Sequence, residues 1–343
     1  MSGTVTIKDI AKDSGFSQST VSLVLQDSPL VADQTRHKVK ESAKKLGYVY
    51  NRAAASLRGS RSGNFGLIIS SISNPYFAEV VTGVDQQISG LNKSLIMGQH
   101  DDNPKVQERL MNLMIEARVD GVMLVPAHET RLSWMKLMQS VDFEILLLTR
   151  RFIGVNFPYF GADSADAAYL ATKHLISHGV RSIFLVGGHS QSAPFQERKT
   201  GVLAAVKESG ISINDVVFLE ATPTQAGGYK AAIEIFQKLP KKSGVLAYND
   251  ITATGVLAAL RDLRIKVGLE VPVIGIDDIE NSKYLTPPLT TISNSPREIG
   301  QAAATFLVNA SSENGLTKKN KFMIKNNLEI RESCGCKQKG DKK

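Results

Sequence analysis

The chain has 343 residues, enough for two or three domains and a sizeable buried core. Hydrophobic residues make up 42% and mean hydropathy is −0.09, which fits a soluble globular protein, and no run of roughly 18 apolar residues marks a membrane span. The formal net charge of +8 favours an acidic partner; the basic excess sits before Gly63 and again after Lys318, with a roughly balanced middle.

The stretch Met1 to Lys12 lacks a charged segment followed by an apolar one, so it reads as no secretory signal and a cytoplasmic location is expected. Three short helical patterns come first. Ile7, Ile10 and Ala11 form one amphipathic stripe that ends at Gly15. Ser17 can cap a second helix whose inward face is Val21, Val24 and Leu25. Val39, Ala43 and Leu46 stripe a third, longer helix that stops at Gly47. The alanine-rich segment Asn51 to Arg58 suits a fourth short helix, and Gly59 to Gly63 is linker in composition.

After the linker the pattern changes to alternating βα units. Apolar runs at Phe65–Ile69, Ser94–Met97, Gly121–Val125 and Ile145–Leu148 read as buried parallel strands. Amphipathic stretches such as Phe77–Leu91 and Gln107–Ala117 separate them. A second series follows at Ser182–Val186, Val216–Leu219, Gly244–Ala247 and Val271–Ile276. Two doubly wound α/β halves imply a ligand cleft between lobes. Periodicity leaves open whether the lobes are consecutive or exchange strands late in the chain.

The only cysteines, Cys334 and Cys336, come near the C-terminus. A CxC pair can bind metal or serve redox chemistry, but a metal site needs more ligands. The expectation is two exposed thiols on a solvated basic tail and no metal. His174, His178 and His189 are scattered and read as surface or cleft-rim residues. Gly187-Gly188 belongs to no phosphate-binding glycine pattern, and no Ser-His-Asp context is visible, so no catalysis and no cofactor are expected.

Reading a duplex requires a helix that fits the major groove. Ser17, Gln18, Ser19, Thr20 and Ser22 crowd hydrogen-bonding groups onto the start of the second helix. Hydroxyls and helix N-terminal N–H groups suit phosphates, and Gln18 can pair with an adenine edge. The same pattern suits a capped surface helix whose polar residues are merely solvated; on these residues alone both readings stand.

The wider pattern, TIKDIAKDSGFSQSTVSLVL followed by TRHKVKESAKKLGYVYNRAAASL, strongly resembles the head of the LacI/GalR family of bacterial repressors. The resemblance implies that Gln18, Ser19 and Leu23 read bases, with Leu23 standing where many members carry an arginine. Leucine can only pack on a thymine methyl or exclude a mismatch, so an operator differing from the common family consensus is expected there. Thr6, Ser17, Thr20, Ser22 and Gln26 would be positioning contacts. NRAAASL resembles the family's hinge helix, with Asn51 at its start, Ala54 as the small residue and Leu57 as the minor-groove wedge. Two departures are Tyr50 in place of a proline and Ala32 in place of a capping serine, for which Asp33 could substitute.

The remainder resembles the periplasmic-binding-protein-like core of that family. NPYFAEVVTGV places Asn74, Tyr76 and Phe77 at the cleft; Arg198, Asn249 and Asp277 match residues that contact effector. PPLTTI (Pro287 to Ile292) matches the crossover back to the first lobe. Thr149, followed by Arg150, stands where an aspartate is common, and an aromatic that stacks on sugar rings is replaced near Pro223. One Arg, one Asp and one Asn at strand ends suit a polyhydroxylated or amide-rich small molecule.

The implied organisation is a helix-turn-helix domain over 1–50, hinge and linker over 51–63, a two-lobed core over 64–331 and a basic tail over 332–343. The implied function is a homodimeric repressor on a palindromic operator, whose affinity changes when a sugar binds between the lobes. The alternative is a corepressor-activated regulator with a non-sugar effector such as a purine or nucleoside. An exported solute receptor and an effector-independent architectural DNA protein are the competing classes. The tail lacks heptads, so a dimer is expected rather than a tetramer.

Overall fold

The computed structural model describes residues 5–25, 28, 30–49, 62–91, 93–236, 240, 242–311 and 321–336. Contacts divide the chain into two units, 1–62 and 63–343. The hinge residues expected at Asn51, Ala54 and Leu57, together with Tyr50 and Gln26, lie outside the described residues.

The first unit contains α1 (Ile7–Ser14), α2 (Gln18–Leu25) and α3 (Asp33–Lys45). Their apolar stripes meet in one small core of Ile10, Val21, Val24, Val39 and Ala43. Gly15 closes α1 at φ +76°, a backbone that L side chains rarely adopt, and turns the chain into α2. Asp13 then ties α1 to α3, accepting from Ser42 Oγ at 2.7 Å and Lys45 Nζ at 2.8 Å. Those two donors hold its carboxyl below the usual range. Asp33 does not replace the missing cap of α3. Ala32 is the capping residue and makes no side-chain bond, while Asp33 lies in the first turn beside Arg36 at 3.9 Å.

In the second unit one six-stranded sheet has the order β11-β5-β4-β3-β1-β2. Its strands are β1 (Asn64–Ile69), β2 (Ser94–Gln99), β3 (Gly121–Leu124), β4 (Glu144–Leu148), β5 (Tyr159–Ala162) and β11 (Lys321–Ile324). All pair in parallel. The other sheet runs β12-β10-β9-β8-β6-β7. It comprises β6 (Ser182–Val186), β7 (Val216–Leu219), β8 (Ser243–Ala247), β9 (Val273–Asp277), β10 (Thr290–Ser293) and β12 (Asn327–Glu329), with only β12 antiparallel.

Helices cover both faces of each sheet, which is why the inner strands read as unbroken apolar runs. In the first lobe, Phe65, Leu67 and Ile69 pack on α4 (Pro75–Ile88) and α11 (Pro296–Ala310), while Ile68 turns to α5 (Pro104–Glu116) and α6 (Leu132–Leu137). In the second, α7 (Ser164–Ser177) and α8 (Ala193–Glu208) cover one face, and α9 (Gln225–Ile235) and α10 (Asp250–Asp262) the other.

The two lobes are not consecutive. The chain leaves the first lobe after β5, returns after β10 through α11, and crosses again between β11 and β12. The segment expected to be the return crossover, Pro287 to Ile292, instead leads into β10; the crossing follows it at Asn294 and Ser295. The core also continues beyond Arg331. Ser333 accepts from Thr290 N–H at 2.8 Å and donates to Val273 O at 2.7 Å, and Cys334 is fully buried. The expected tail of two exposed thiols is therefore corrected: 332–336 is part of the second lobe.

Helices α4 and α11 approach closely because glycines face each backbone. A Cβ on Gly83 would lie 2.1 Å from Arg297 O, and one on Gly300 2.2 Å from Val80 O. Gly83→Ala should lower stability by about 1–3 kcal/mol through overpacking, despite alanine's helix preference. Urea unfolding checks this; an unchanged midpoint would show that the pair can part without cost.

Candidate functional site

In the first unit, Ser17 caps α2 by accepting from Thr20 N–H at 3.1 Å, and its hydroxyl meets those of Ser19 and Thr20 at 2.9 Å each. Thr6 begins α1, donating its N–H and hydroxyl to Asp9 at 2.9 and 2.7 Å. With Val21 and Val24 in the core, helical spacing puts Ser19, Ser22 and Leu23 on the opposite face, with Gln18 at the flank of the first turn. Gln18 and Ser19 are exposed, and Leu23 is 37% exposed, an apolar side chain left out of a small core. Arg36 holds the loop into α3 by donating to Ser28 O at 2.7 Å and Val31 O at 3.3 Å. Ten Lys and Arg against five Asp and Glu precede Gly63, so this unit carries most of the chain's net positive charge of +8.

The second unit holds a cavity of about 450 Å³ between its lobes. Asn74, Tyr76, Phe77, Thr149, Arg198, Asn249 and Asp277 all line it, joining positions far apart in sequence. Strand ends and helix starts place them. Asn74 caps α4, accepting from Tyr76 N–H at 3.1 Å. Asn249 caps α10 and accepts at Oδ1 from the N–H and hydroxyl of Thr252 at 2.9 and 2.6 Å. Its amide N–H groups are what it offers a ligand.

Arg198 rises from α8, stacks over the Tyr248 ring at 4.1 Å and donates to Tyr248 O. Its Nε is buried without a hydrogen-bond partner among the described residues. Asp277 ends β9 at φ +129°, accepting from Asn294 Nδ2 at 3.3 Å. Burial pushes its carboxyl up to about 8, against the pull of Arg198. A neutral Asp277 can both donate and accept. Asn294 Oδ1, at the second crossover, is also buried without a partner among the described residues.

Asp250 plays a different part. It is fully buried, does not line the cavity, and accepts from Ser282 Oγ and Thr291 Oγ1 at 2.5 Å and Ile279 N–H at 3.1 Å. Burial raises it to about 6 against those bonds. It fixes α10 to the loop after β9. Asp278 caps no helix; it pairs with Arg331 at 2.6 Å.

Sequence reasoning missed the charged group on the first lobe. Asp102 pairs with Arg150 and lies 3.4 Å from His128 Nε2. Burial and Arg150 push His128 down to about 4, whereas Arg150 and its hydrogen bonds hold Asp102 below its ordinary value despite burial. Arg150 was visible only as an oddity beside Thr149. Of the histidines read as scattered surface or cleft-rim residues, His189 lines the cleft as expected, whereas His174 and His178 are not scattered but stand together beside Cys334 and Cys336.

Residues 6–51 match the family model for bacterial regulatory proteins of the lacI family, and residues 172–334 match a periplasmic binding protein-like domain. The chain is 30% identical over 303 residues to the HTH-type transcriptional repressor PurR of Vibrio vulnificus (strain CMCP6), spanning 88% of this chain and 91% of that one. Against PurR of Histophilus somni (strain 2336) it is 29% identical over 310 residues, spanning 90% and 93%. Among solved structures, the transcriptional regulator CelR–cellobiose complex is similar at 26% identity and a TM-score of 0.72, over 96% of this chain and 99% of that one. The lac repressor bound to ONPG in the repressed state shares the fold with a TM-score of 0.83 at 23% identity, over 96% and 100%.

Asp277 gives a pH signature. Its folded value is raised from 3.8 to about 8, so its contribution to stability is complete below about pH 4 and is lost as pH rises to about 8. Asp277→Asn should flatten the fall in melting temperature over that range in ligand-free protein. Identical pH profiles for the two proteins would refute the raised value.

Proposed function

The chain belongs to the LacI family of bacterial regulatory proteins and is a DNA-binding transcriptional repressor with an effector-binding core; from that premise we propose how its residues divide the work. The heads of a cytoplasmic homodimer read a palindromic operator, each contacting one half-site. Gln18, Ser19 and Leu23 meet base edges, and Thr6, Ser17, Thr20 and Ser22 meet the backbone. Asn51, Ala54 and Leu57 form the hinge that enters the minor groove, with Leu57 as the wedge.

The effector is a sugar-class molecule. The observation that carries this reading is the convergence of Arg198, Asn249 and Asp277, with their donors and acceptors, on one cavity of about 450 Å³. The cellobiose complex of CelR supports it. A ligand touching both lobes favours one lobe arrangement, and that arrangement weakens operator binding. A purine or nucleoside acting as corepressor is the second reading, favoured by the Tyr76 and Phe77 rings, which pack edge-on at 5.3 Å beside the same polar groups.

Calorimetry against sugars and nucleosides, paired with operator gel shifts, separates the readings. A sugar that releases DNA supports the first, a nucleoside that tightens binding supports the second, and insensitivity to every ligand would end the sensor proposal. Arg198→Ala should weaken effector binding by about tenfold to a hundredfold, the loss of a charge-assisted hydrogen bond, while ligand-free operator binding holds. Leu57→Ala should reduce specific operator affinity and leave effector affinity unchanged. Leu23→Arg should move base preference at one pair per half-site, with discrimination worth about 1–3 kcal/mol. Selection of bound sites from random DNA reads that last change directly, and an unaltered site would place Leu23 outside the readout.

A further inference from the structure

Away from the cleft, the last described residues turn back onto α7. His174 lies in the last turn of that helix and His178 caps its C-terminus four residues on, so their rings share one face, with centroids 4.8 Å apart. Cys334, Gly335 and Cys336 pass beside them. Gly335 has φ +91°, and a Cβ there would lie 2.3 Å from Gly268 O, so the turn between the cysteines requires glycine. The outcome is four donor atoms, two sulfurs and two imidazole nitrogens, all within 4.8 Å of one another. Cys336 Sγ lies 3.2 Å from His178 Nε2 and 3.9 Å from His174 Nε2.

We propose that His174, His178, Cys334 and Cys336 form a tetrahedral site for a zinc-class divalent ion that fastens the C-terminal segment to α7. Geometry supports it. Zinc bonds of about 2.3 Å to sulfur and about 2.0 Å to nitrogen put neighbouring donors about 3.3–3.8 Å apart, close to the spacing here. So does the donor set, because two thiolates and two imidazoles suit a borderline-soft ion and exclude magnesium or calcium. Charge also balances. On binding, each thiol gives its proton to solvent, the imidazoles bind neutral, and two thiolates cancel the dication in a half-buried place. A disulfide between the cysteines would engage two of the four groups and leave both histidines unexplained.

The site would act as a clip. Ser333, next to Cys334, already bridges Thr290 of β10 and Val273 of β9. An ion would join that edge to α7, whose first residue, Ser164, follows the first crossover and lines the cleft.

The test uses the full chain, purified under reductant and loaded with zinc or with cobalt in its place. The expected result is about one ion per chain by mass spectrometry, together with a thiolate-to-cobalt charge-transfer band and the visible bands of a tetrahedral centre. Chelation should lower the melting temperature by several degrees. Cys336→Ser and His178→Ala change half-buried and exposed side chains; far-ultraviolet dichroism and operator binding establish that each variant is folded. Both should lose the charge-transfer band, tetrahedral spectrum or stoichiometric ion, and the response to chelation. The proposal is overturned if the wild type, with thiols titrated as free, takes up no stoichiometric ion. It is equally overturned if both variants keep the wild-type cobalt spectrum, or if the reduced preparation carries a Cys334–Cys336 disulfide.

Discussion

The relation of the two lobes in the second unit depends on three chain crossings, after β5, after β10 and between β11 and β12. A buried asparagine sits in each of the second and third. Asn326, in the third crossing, donates at 2.8 Å to both Asp163 O and Asp166 Oδ2 at the first. Asn294, in the second, donates to Asp277. Three tethered strands of chain cannot stretch or slip far, so the lobes can change their relation mainly by small backbone rotations at the crossings. The residues that would sense a ligand therefore sit where such a rotation begins.

The same geometry concentrates polar groups along the cleft. Arg198 Nε and Asn294 Oδ1 are buried without partners among the described residues, and burial keeps Asp277 neutral. The first lobe contributes a different character: the Asp102–Arg150 pair satisfies its own charge and presents a rigid polar edge. A ligand bearing several hydroxyls can meet the unmet groups on one side while resting on that edge on the other. Binding then supplies differential free energy between lobe arrangements, which is all that an allosteric response requires.

Much of this was legible in the chain itself, for physical reasons. Ile10, Val21, Val24, Val39 and Ala43 recur at helical spacing within one short stretch, so the small head core shows as pattern. Strands buried on both faces show as apolar runs, and eight of the twelve strands among the described residues were read that way. β10 (TTIS) and β12 (NLE) were missed because they are largely polar, and β5 and β11 because no described helix separates β4 from β5 or β11 from β12, outside the regular βα alternation. Arg198, Asn249 and Asp277 stood in motifs. The Asp102, Arg150 and His128 group did not, since only tertiary folding brings three separate turns together. The two histidines four apart carried a signal, but their cysteine neighbours lie far along the chain, and nothing local announces that meeting.

Leu23 carries a consequence for how selectivity varies with solution conditions. Contacts between basic residues and phosphates weaken steeply as salt rises, because they draw on released counterions. An exposed leucine holds no charge and excludes water by shape. In the proposed contact, its share of base choice would persist at ionic strengths that strip away nonspecific attraction. A repressor that reads one base pair with an apolar side chain would grow more selective, though weaker, as the cell's salt content climbs.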